Sequence, residues 1–237
     1  PPCAKDEGFT LKVSADGIAI RGRGPRGALH GALRLEQMLK GRGAPCVKTG
    51  TVRAAPRFAP RILRSYSSPY YEEAIDGKCH YTDNYLSRLA HLGYDAIWLR
   101  GELRSLSRTE VFPELGKNSD RNLAALNDLA DWARRWGIGV YIFLCEPLGL
   151  PTTDPFWGKH PDARGSEGPE MGKDVRLNAF CTSSEKVKRF LREGSRDMFT
   201  RAPGLEGALL ITASEHTGHC KQRASMAPCP RCAPRPG

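Results

Sequence analysis

The chain has 237 residues, of which 40% are hydrophobic, so it is long enough for one sizeable core or two modest ones. No apolar run approaches the roughly 20 residues that a membrane-spanning helix needs, which argues against a membrane protein. The formal net charge of +10 comes mostly from arginines spread along the chain without a dense basic block, and it indicates a solvated surface rather than a nucleic-acid-binding protein.

The first 55 residues predict a small α+β domain. Phe9–Val13 alternates apolar and polar residues as a strand does, and a turn leads into a returning strand at Ile18–Ile20. Gly24-Pro25 then opens a helix at about residues 26–40, whose leucines and alanines form an apolar face. A hairpin followed by one helix is too small to fold alone, so we expect the domain at residues 1–55 to be incomplete.

Residues 56–237 repeat a pattern of strand, long loop, helix, short glycine loop and strand. This pattern predicts a parallel sheet built from about four βα units, because parallel strands need crossover connections. Strands are predicted at residues 62–66, 94–99, 138–144 and 208–211, and helices are predicted to begin near residues 82, 119 and 182. No Gly-x-Gly-x-x-Gly sequence follows these strands, so a dinucleotide-binding fold has no support from a motif.

A carboxylate follows the last predicted strand. The buried apolar run predicted at Ala208–Ile211 ends shortly before Glu215, which lies between Ser214 and His216. In barrel folds the catalytic residues lie at the C-terminal ends of the strands, where long loops build the site. The position of Glu215 therefore predicts an enzyme, whereas the plainer alternative is a surface glutamate at the start of a loop.

Short segments at the strand ends, taken in their order, resemble the β-N-acetylhexosaminidases of glycoside hydrolase family 20 and their α-glucuronidase-like relatives. Pro56-Arg-Phe-Ala-Pro-Arg61 is similar to the segment through which that family enters its barrel, and Gly24-Pro-Arg-Gly27 is similar to the start of the helix in its first domain. Leu144-Cys-Glu-Pro-Leu-Gly149 is similar to the end of its third barrel strand, and Ser214-Glu215 matches the Asp-Glu pair after its fourth. The resemblance covers nearly the whole chain.

This resemblance implies a small α+β domain followed, at residues 56–237, by the first half of a (β/α)8 TIM barrel. It implies that Arg61 binds the sugar and that Glu215 is the general acid, because the departing glycosidic oxygen needs a proton donor. Ser214 cannot supply the charge of the family's aspartate, which argues against substrate-assisted chemistry on an N-acetyl sugar. Since only four strands are predicted, we expect either that the missing half of the barrel lies in another chain or region, or that this chain is a fragment.

Further candidate sugar-binding residues lie near the predicted strand ends: Arg64, Glu146 and His216, beside Arg61. The planar guanidinium groups of the two arginines suit sugar hydroxyls or a uronate carboxylate. The alternative for both arginines is a structural role, with their donors satisfied within the protein. Glu146 is predicted either to accept a hydrogen bond from a sugar hydroxyl or to hold its loop in place.

Three of the eight cysteines cluster late in the chain, at Cys220, Cys229 and Cys232, and His219 adjoins the first of them. One Cys-x-x-Cys pair with an upstream His and Cys predicts a tetrahedral structural zinc site made by these four residues. Reduced thiols or a loop disulfide are the alternatives, and no His-Glu-x-x-His motif supports a catalytic zinc. The other cysteines are scattered, so the compartment is left undecided.

The predicted function is that of an exo-acting, hexosaminidase-like glycoside hydrolase, which acts on a carbohydrate substrate without a catalytic cofactor. One alternative is α-glucuronidase-like activity. A second alternative is a non-catalytic carbohydrate-binding or scaffold remnant of a glycosidase barrel. A third is a zinc-stabilised interaction module at residues 216–232.

Overall fold

The computed structural model describes residues 7–64, 80–169, 174–211, 217–221 and 226–233. These residues form a mixed α/β fold with six helices and three sheets, which confirms the predicted α/β class. In chain order the elements are β1 (Phe9–Ser14), β2 (Gly17–Gly22), α1 (Pro25–Arg42), β3 (Gly50–Ala54), β4 (Ile62–Leu63), α2 (Asp83–His91), β5 (Ala96–Gly101), α3 (Leu103–Leu106), α4 (Ser119–Arg134), β6 (Gly139–Leu144), β7 (Leu150–Pro151), α5 (Phe156–Lys159), β8 (Arg164–Pro169), β9 (Arg176–Phe180), α6 (Glu185–Arg201) and β10 (Leu205–Leu210). None of the described helices is both long enough and apolar enough to cross a membrane.

The contacts of the chain divide it into two compact units. The first unit consists of residues 1–68, 79–98 and 128–141, and the second consists of residues 69–78, 99–127 and 142–237. Strands β5 and β6 each begin in the first unit and continue into the second. The predicted domains at residues 1–55 and 56–237 stay a prediction.

The N-terminal sheet lies in the first unit and has the strand order β2-β1-β3. Strands β1 and β2 pair antiparallel and α1 follows them, as the sequence predicts. Gly43, at a φ of 62°, ends the helix in the left-handed conformation that glycine adopts without steric cost. The sequence does not predict β3, because its residues are mostly exposed and lack a buried alternation. Its pairing with β1, which sets Val52 opposite Leu11, defines it instead.

The core sheet has the strand order β10-β6-β5-β4, so strands that follow one another in the chain are neighbours in space. This order confirms the four core strands that the sequence predicts. Strand β4 runs parallel to β5, with Ile62 opposite Ala96. Every residue of β6 is buried, which explains why its sequence is a continuous apolar run rather than an alternating one.

The predicted helix boundaries follow from local capping. The Thr82 hydroxyl accepts a hydrogen bond from the Tyr85 N–H at 3.3 Å and caps α2, and Gly93, at a φ of 87°, lies just after that helix. Gly137, at a φ of 67°, has the same place after α4. Both glycines turn the chain directly into the next core strand, as the sequence predicts.

A three-stranded antiparallel sheet, in the order β7-β9-β8, is inserted between β6 and α6. The sequence predicts only a long loop here, because β7 has two residues and Arg164–Pro169, which forms β8, is rich in glycine and polar residues. Phe180, which ends β9, packs against Phe156, Phe112 and Phe190 with ring centroids 5.3, 6.2 and 6.1 Å away. This aromatic cluster anchors the inserted sheet within the second unit.

Strand β10 lies at one end of the core sheet and is more exposed than the sequence predicts. Leu210 is 66% exposed and Ile211, the next residue, is 42% exposed, although their apolar character predicts a buried strand. An edge strand has a neighbour on one side only, so its apolar residues are left without cover there. The apolar run therefore marks a core strand correctly but not its degree of burial.

Candidate active site and metal centre

Charged side chains follow three of the four core strands. Arg64 comes directly after β4, Glu102 comes directly after β5, and Glu146 lies two residues beyond β6. Glu215 and His216, which the sequence predicts as acid and sugar contact beyond β10, lie outside the described residues. The strand ends thus carry the residue types that the sequence analysis selected, as far as the described chain reaches.

Glu146 is a partly buried carboxyl group held by backbone donors. The Leu103 N–H donates to its Oε1 at 2.6 Å, and the Leu148 N–H donates to its Oε2 at 3.4 Å. Desolvation is the largest influence on Glu146 and raises its pKa to about 7, and the nearby Glu102 carboxylate adds to this rise. A carboxyl group with such a pKa is partly protonated at neutral pH, so it can donate or accept a proton there.

Arg104 links the loops after β5 and β6. Its Nε lies 2.7 Å from Glu102 Oε2, and its Nη1 donates to the carbonyl oxygens of Leu148 and Gly149 at 3.3 and 3.0 Å. The guanidinium group also lowers the pKa of Glu146 and so opposes part of the desolvation. Glu102, Arg104 and Glu146, the strand-end cluster, therefore hold the loop after β6 in place. This is one of the two roles predicted for Glu146, and the sugar contact stays a prediction.

The raised pKa of Glu146 makes stability depend on pH. Its folded pKa of about 7 lies above the ordinary 4.5, so between these values the folded chain keeps a proton that the unfolded chain releases. The free energy of unfolding should therefore fall as the pH rises through this range. We expect Glu146→Gln, which retains an oxygen for the Leu103 N–H, to remove this fall, worth roughly 2 kcal/mol. Urea unfolding at pH 5 and pH 8 would measure it.

The matched control for that comparison is Glu110→Gln, because the Glu110 side chain is 90% exposed. It should retain the pH dependence of the original chain. An identical pH dependence in the Glu146→Gln variant would contradict the raised pKa.

Arg61 is engaged entirely by protein groups of the first unit. Its Nε donates to the Gly93 carbonyl and its Nη1 to the Phe58 carbonyl, each at 2.6 Å. Its Nη2 lies 2.7 Å from Glu7 Oε2, and its Nη1 lies 3.0 Å from Asp95 Oδ2. These contacts are those of the structural arginine that the sequence left as an alternative. Sugar binding by Arg61 has no support from them.

We expect Arg61→Ala to lower the free energy of unfolding by roughly 3 kcal/mol, because it removes the guanidinium group paired with the buried carboxylates of Glu7 and Asp95, although Arg26 still lies 3.8 Å from Glu7. Urea unfolding would measure the change, with exposed Arg57→Ala as the matched control. A variant of unchanged stability whose KM for a glycoside rises would instead show that Arg61 binds the sugar.

Arg64 is buried, with its guanidinium carbon 4.3 Å from the centre of the Trp98 ring. Such stacking suits arginine because its charge lies flat against the electron-rich face of the indole. The contact orients the side chain directly after β4. A sugar contact by Arg64 stays a prediction.

The described residues on either side of 212–216 are bonded to the last residue of β6 and to the loop after it. The Ile211 N–H donates to the Leu144 carbonyl at 3.1 Å, and the Gly149 N–H donates to the Thr217 carbonyl at 2.8 Å. Thr217 is buried and its hydroxyl donates to the Pro169 carbonyl at 2.8 Å. A Cβ atom at Gly149 would lie 2.7 Å from the Asn178 carbonyl oxygen and 2.8 Å from the Thr217 carbonyl oxygen, so this close packing needs glycine. Both anchors thus lie beside the loop that carries Glu146.

Four buried cysteines meet in the second unit, and they differ from the predicted set by one member. The sulfur atoms of Cys181, Cys220, Cys229 and Cys232 all lie within 4.8 Å of one another. His219 lies outside this group and its Nδ1 accepts a hydrogen bond from the Lys221 N–H. Cys181 takes the fourth place because it directly follows β9, in the inserted sheet that the sequence does not predict.

The sulfur atoms of this four-cysteine cluster accept hydrogen bonds from backbone N–H groups. Cys181 accepts one from Ser183 and Cys220 accepts one from Ser166. Cys229 accepts two, from the third and fourth residues of the Cys229-Pro-Arg-Cys232 turn. Burial is the largest influence on Cys220 and Cys229 and raises the pKa of both thiols, whereas the backbone donors aimed at sulfur oppose it and favour the thiolate, the form that binds metals.

The fold of this chain is similar to that of solved glycoside hydrolases. A GH138 enzyme targeting pectin rhamnogalacturonan II is 14% identical over 87% of this chain and 24% of its own, with a TM-score of 0.64. Two β-N-acetylhexosaminidases, one of them from Bacteroides fragilis, are each 16% identical with a TM-score of 0.52, and they match 86% and 83% of this chain. These matches cover 46% and 41% of the two hexosaminidases, so the chain spans less than half of each of the three structures.

No protein-family model matches the sequence, and no curated protein is similar to it. At identities of 14% and 16% the structural likeness shows a glycosidase-like fold, as the resemblance implies, but not membership of glycoside hydrolase family 20.

Proposed function

We propose that this chain is part of an exo-acting, hexosaminidase-like glycoside hydrolase in which Glu215 is the general acid. The observation that carries the proposal is that a charged residue lies within two positions of the end of each of β4, β5 and β6, and that Glu215 follows β10 five positions after its end. In barrels and in open α/β sheets the carboxyl ends of the strands form the site. The glycosidase-like fold supports glycoside hydrolysis as the reaction proposed for this arrangement.

The strand order of the core sheet supports a half barrel in particular. Strands β4, β5, β6 and β10 are neighbours in chain order, without the reversal that marks a doubly wound nucleotide-binding sheet. A sheet that grows in one direction is what a (β/α)8 barrel requires. We propose that further strands, from another region or chain, close the barrel beyond the exposed edge of β10.

Within this site we assign Glu146 and His216 to contacts with the sugar. Thr217, two positions beyond Glu215, is bonded to Gly149 in the loop that carries Glu146, which supports placing both glutamates on one site. Most glycoside hydrolases use two carboxyl groups on either side of the scissile bond. With a pKa of about 7, Glu146 is partly protonated near neutral pH and can either donate a hydrogen bond to a sugar hydroxyl or accept one from it.

The test is hydrolysis of 4-methylumbelliferyl N-acetylhexosaminides and glucuronides by the complete protein. Release of the fluorophore from a hexosaminide supports the proposal, and release from a glucuronide alone would move the assignment to the α-glucuronidase-like alternative. Binding of these sugars without cleavage would contradict the proposed hydrolysis and support the alternative of a non-catalytic carbohydrate-binding remnant.

A further inference from the structure

The four-cysteine cluster has the geometry of a metal site. We propose that Cys181, Cys220, Cys229 and Cys232 bind one Zn²⁺ ion as four thiolates, without His219. A zinc ion about 2.3 Å from each of four sulfurs at tetrahedral angles would separate those sulfurs by about 3.8 Å. Cys181 Sγ lies 3.7 Å from Cys229 Sγ and 3.6 Å from Cys232 Sγ. These two separations match tetrahedral coordination, and all four sulfurs lie within 4.8 Å of one another.

Thiolate ligands select the metal and the kind of site. Four soft sulfur ligands suit Zn²⁺ and disfavour Mg²⁺ or Ca²⁺, which take oxygen ligands. Four protein ligands also fill the tetrahedron, so no position is left for a water molecule or a substrate. The proposed ion is therefore structural rather than catalytic, and its presence does not depend on the proposed glycosidase activity.

The surroundings of the cluster stabilise the charge of such a site. A Zn²⁺ ion with four thiolates carries a net charge of −2, which burial alone would penalise. The Arg231 side chain donates a hydrogen bond to Cys181 and brings a positive charge beside the sulfurs. The backbone N–H groups of Ser183 and Ser166 donate to Cys181 and Cys220, as outer-shell donors do at zinc sites.

Gly165 lies directly beside the cluster, where there is no room for a side chain. A side chain at Gly165, in β8, would approach Cys220 Sγ and the Ala179 carbonyl oxygen within 2.7 Å. Glu167, two residues further along β8, forms an isolated antiparallel bridge with Ala227. The cluster thus lies where the segment after β10 packs on the inserted sheet, and the ion would join that segment to β9 through Cys181.

Metal content tests the proposal on the full chain purified under reducing conditions. We expect one zinc per chain by inductively coupled plasma mass spectrometry, and cobalt substitution should give the visible absorption bands of a tetrahedral thiolate site. Cys181→Ser should lower zinc affinity by at least tenfold. His219→Ala should retain one zinc, and so should Cys46→Ser, which changes an exposed cysteine in the same way.

A second measurement does not require the Cys181→Ser variant to fold. Iodoacetamide should label the four cluster cysteines slowly in the zinc-bound chain and rapidly after chelation, with the labelled residues identified by peptide mass spectrometry. A zinc-free chain, a disulfide within the cluster, or loss of zinc in His219→Ala but not in Cys181→Ser would overturn the proposal. If the chain binds zinc but the complete protein hydrolyses no glycoside, the zinc proposal is supported and only the proposed glycosidase activity is contradicted.

Discussion

Replacing Glu215 by Gln is expected to reduce kcat/KM for an aryl glycoside by roughly a thousandfold, with the fold unchanged. The amide has nearly the shape of the carboxyl group, but it cannot transfer a proton to the departing glycosidic oxygen. The loss should be smaller for a substrate whose leaving group is already acidic, because such a group departs without protonation. Steady-state kinetics on a series of aryl glycosides of the complete protein would measure both effects.

Glu206→Gln is the matched control, since Glu206 is an exposed glutamate on the strand that leads to Glu215. It should retain full activity. Unchanged activity of the Glu215→Gln variant would refute the assignment made from the strand end. If instead Glu146→Gln lost activity to that extent while Glu215→Gln did not, the proton donor would be Glu146, whose pKa of about 7 suits that role.

Most of the core sheet could be predicted from the sequence because its signals are local. The apolar run of β6, the Thr82 cap of α2 and the glycines at 93 and 137 each act within a few residues of themselves. Such signals determine where an element begins and ends. The order of these signals along the chain is also the order in which the four strands lie in the sheet.

The elements that the sequence did not predict depend on distant partners. Strand β3 is mostly exposed and exists through its pairing with β1, about 40 residues earlier. The two outer strands of the inserted sheet pair with β9, and Phe180 at the end of β9 packs against Phe112, 68 residues earlier in the chain. Neither pairing leaves a periodic pattern in its own segment.

The four-cysteine cluster shows the same limit at a single residue. The Cys229-x-x-Cys232 spacing is local, so it marks half of the site in the sequence. Cys181 lies 39 residues before Cys220 and reaches the cluster only because β9 ends there. His219 was the nearer choice along the chain, but its Nδ1 bonds the Lys221 N–H. Proximity along the chain favours His219, whereas the structure places Cys181 beside the other three cysteines.

The second large effect is expected on removing the metal. Stripping zinc with a chelator should lower the thermal unfolding midpoint by roughly 10 °C. A ligand whose free concentration is about a thousandfold above its Kd contributes about 4 kcal/mol to the free energy of unfolding, and in a chain of this size that amount corresponds to such a shift. Differential scanning calorimetry with and without chelator would measure the shift. Added zinc should restore the midpoint, and added magnesium should not, because thiolates do not retain it.

The Cys181→Ser variant provides the control for this effect, since its midpoint should already be lower and should fall less on adding the chelator. An unchanged midpoint after complete removal of zinc from the original chain would contradict a structural role for the ion.

The consequence for activity rests on the proposed function. Cys220 lies three residues beyond the buried Thr217, so loss of the ion should loosen the chain after Glu215. We therefore expect kcat to fall with a smaller change in KM, because the proton donor is displaced while most sugar contacts remain.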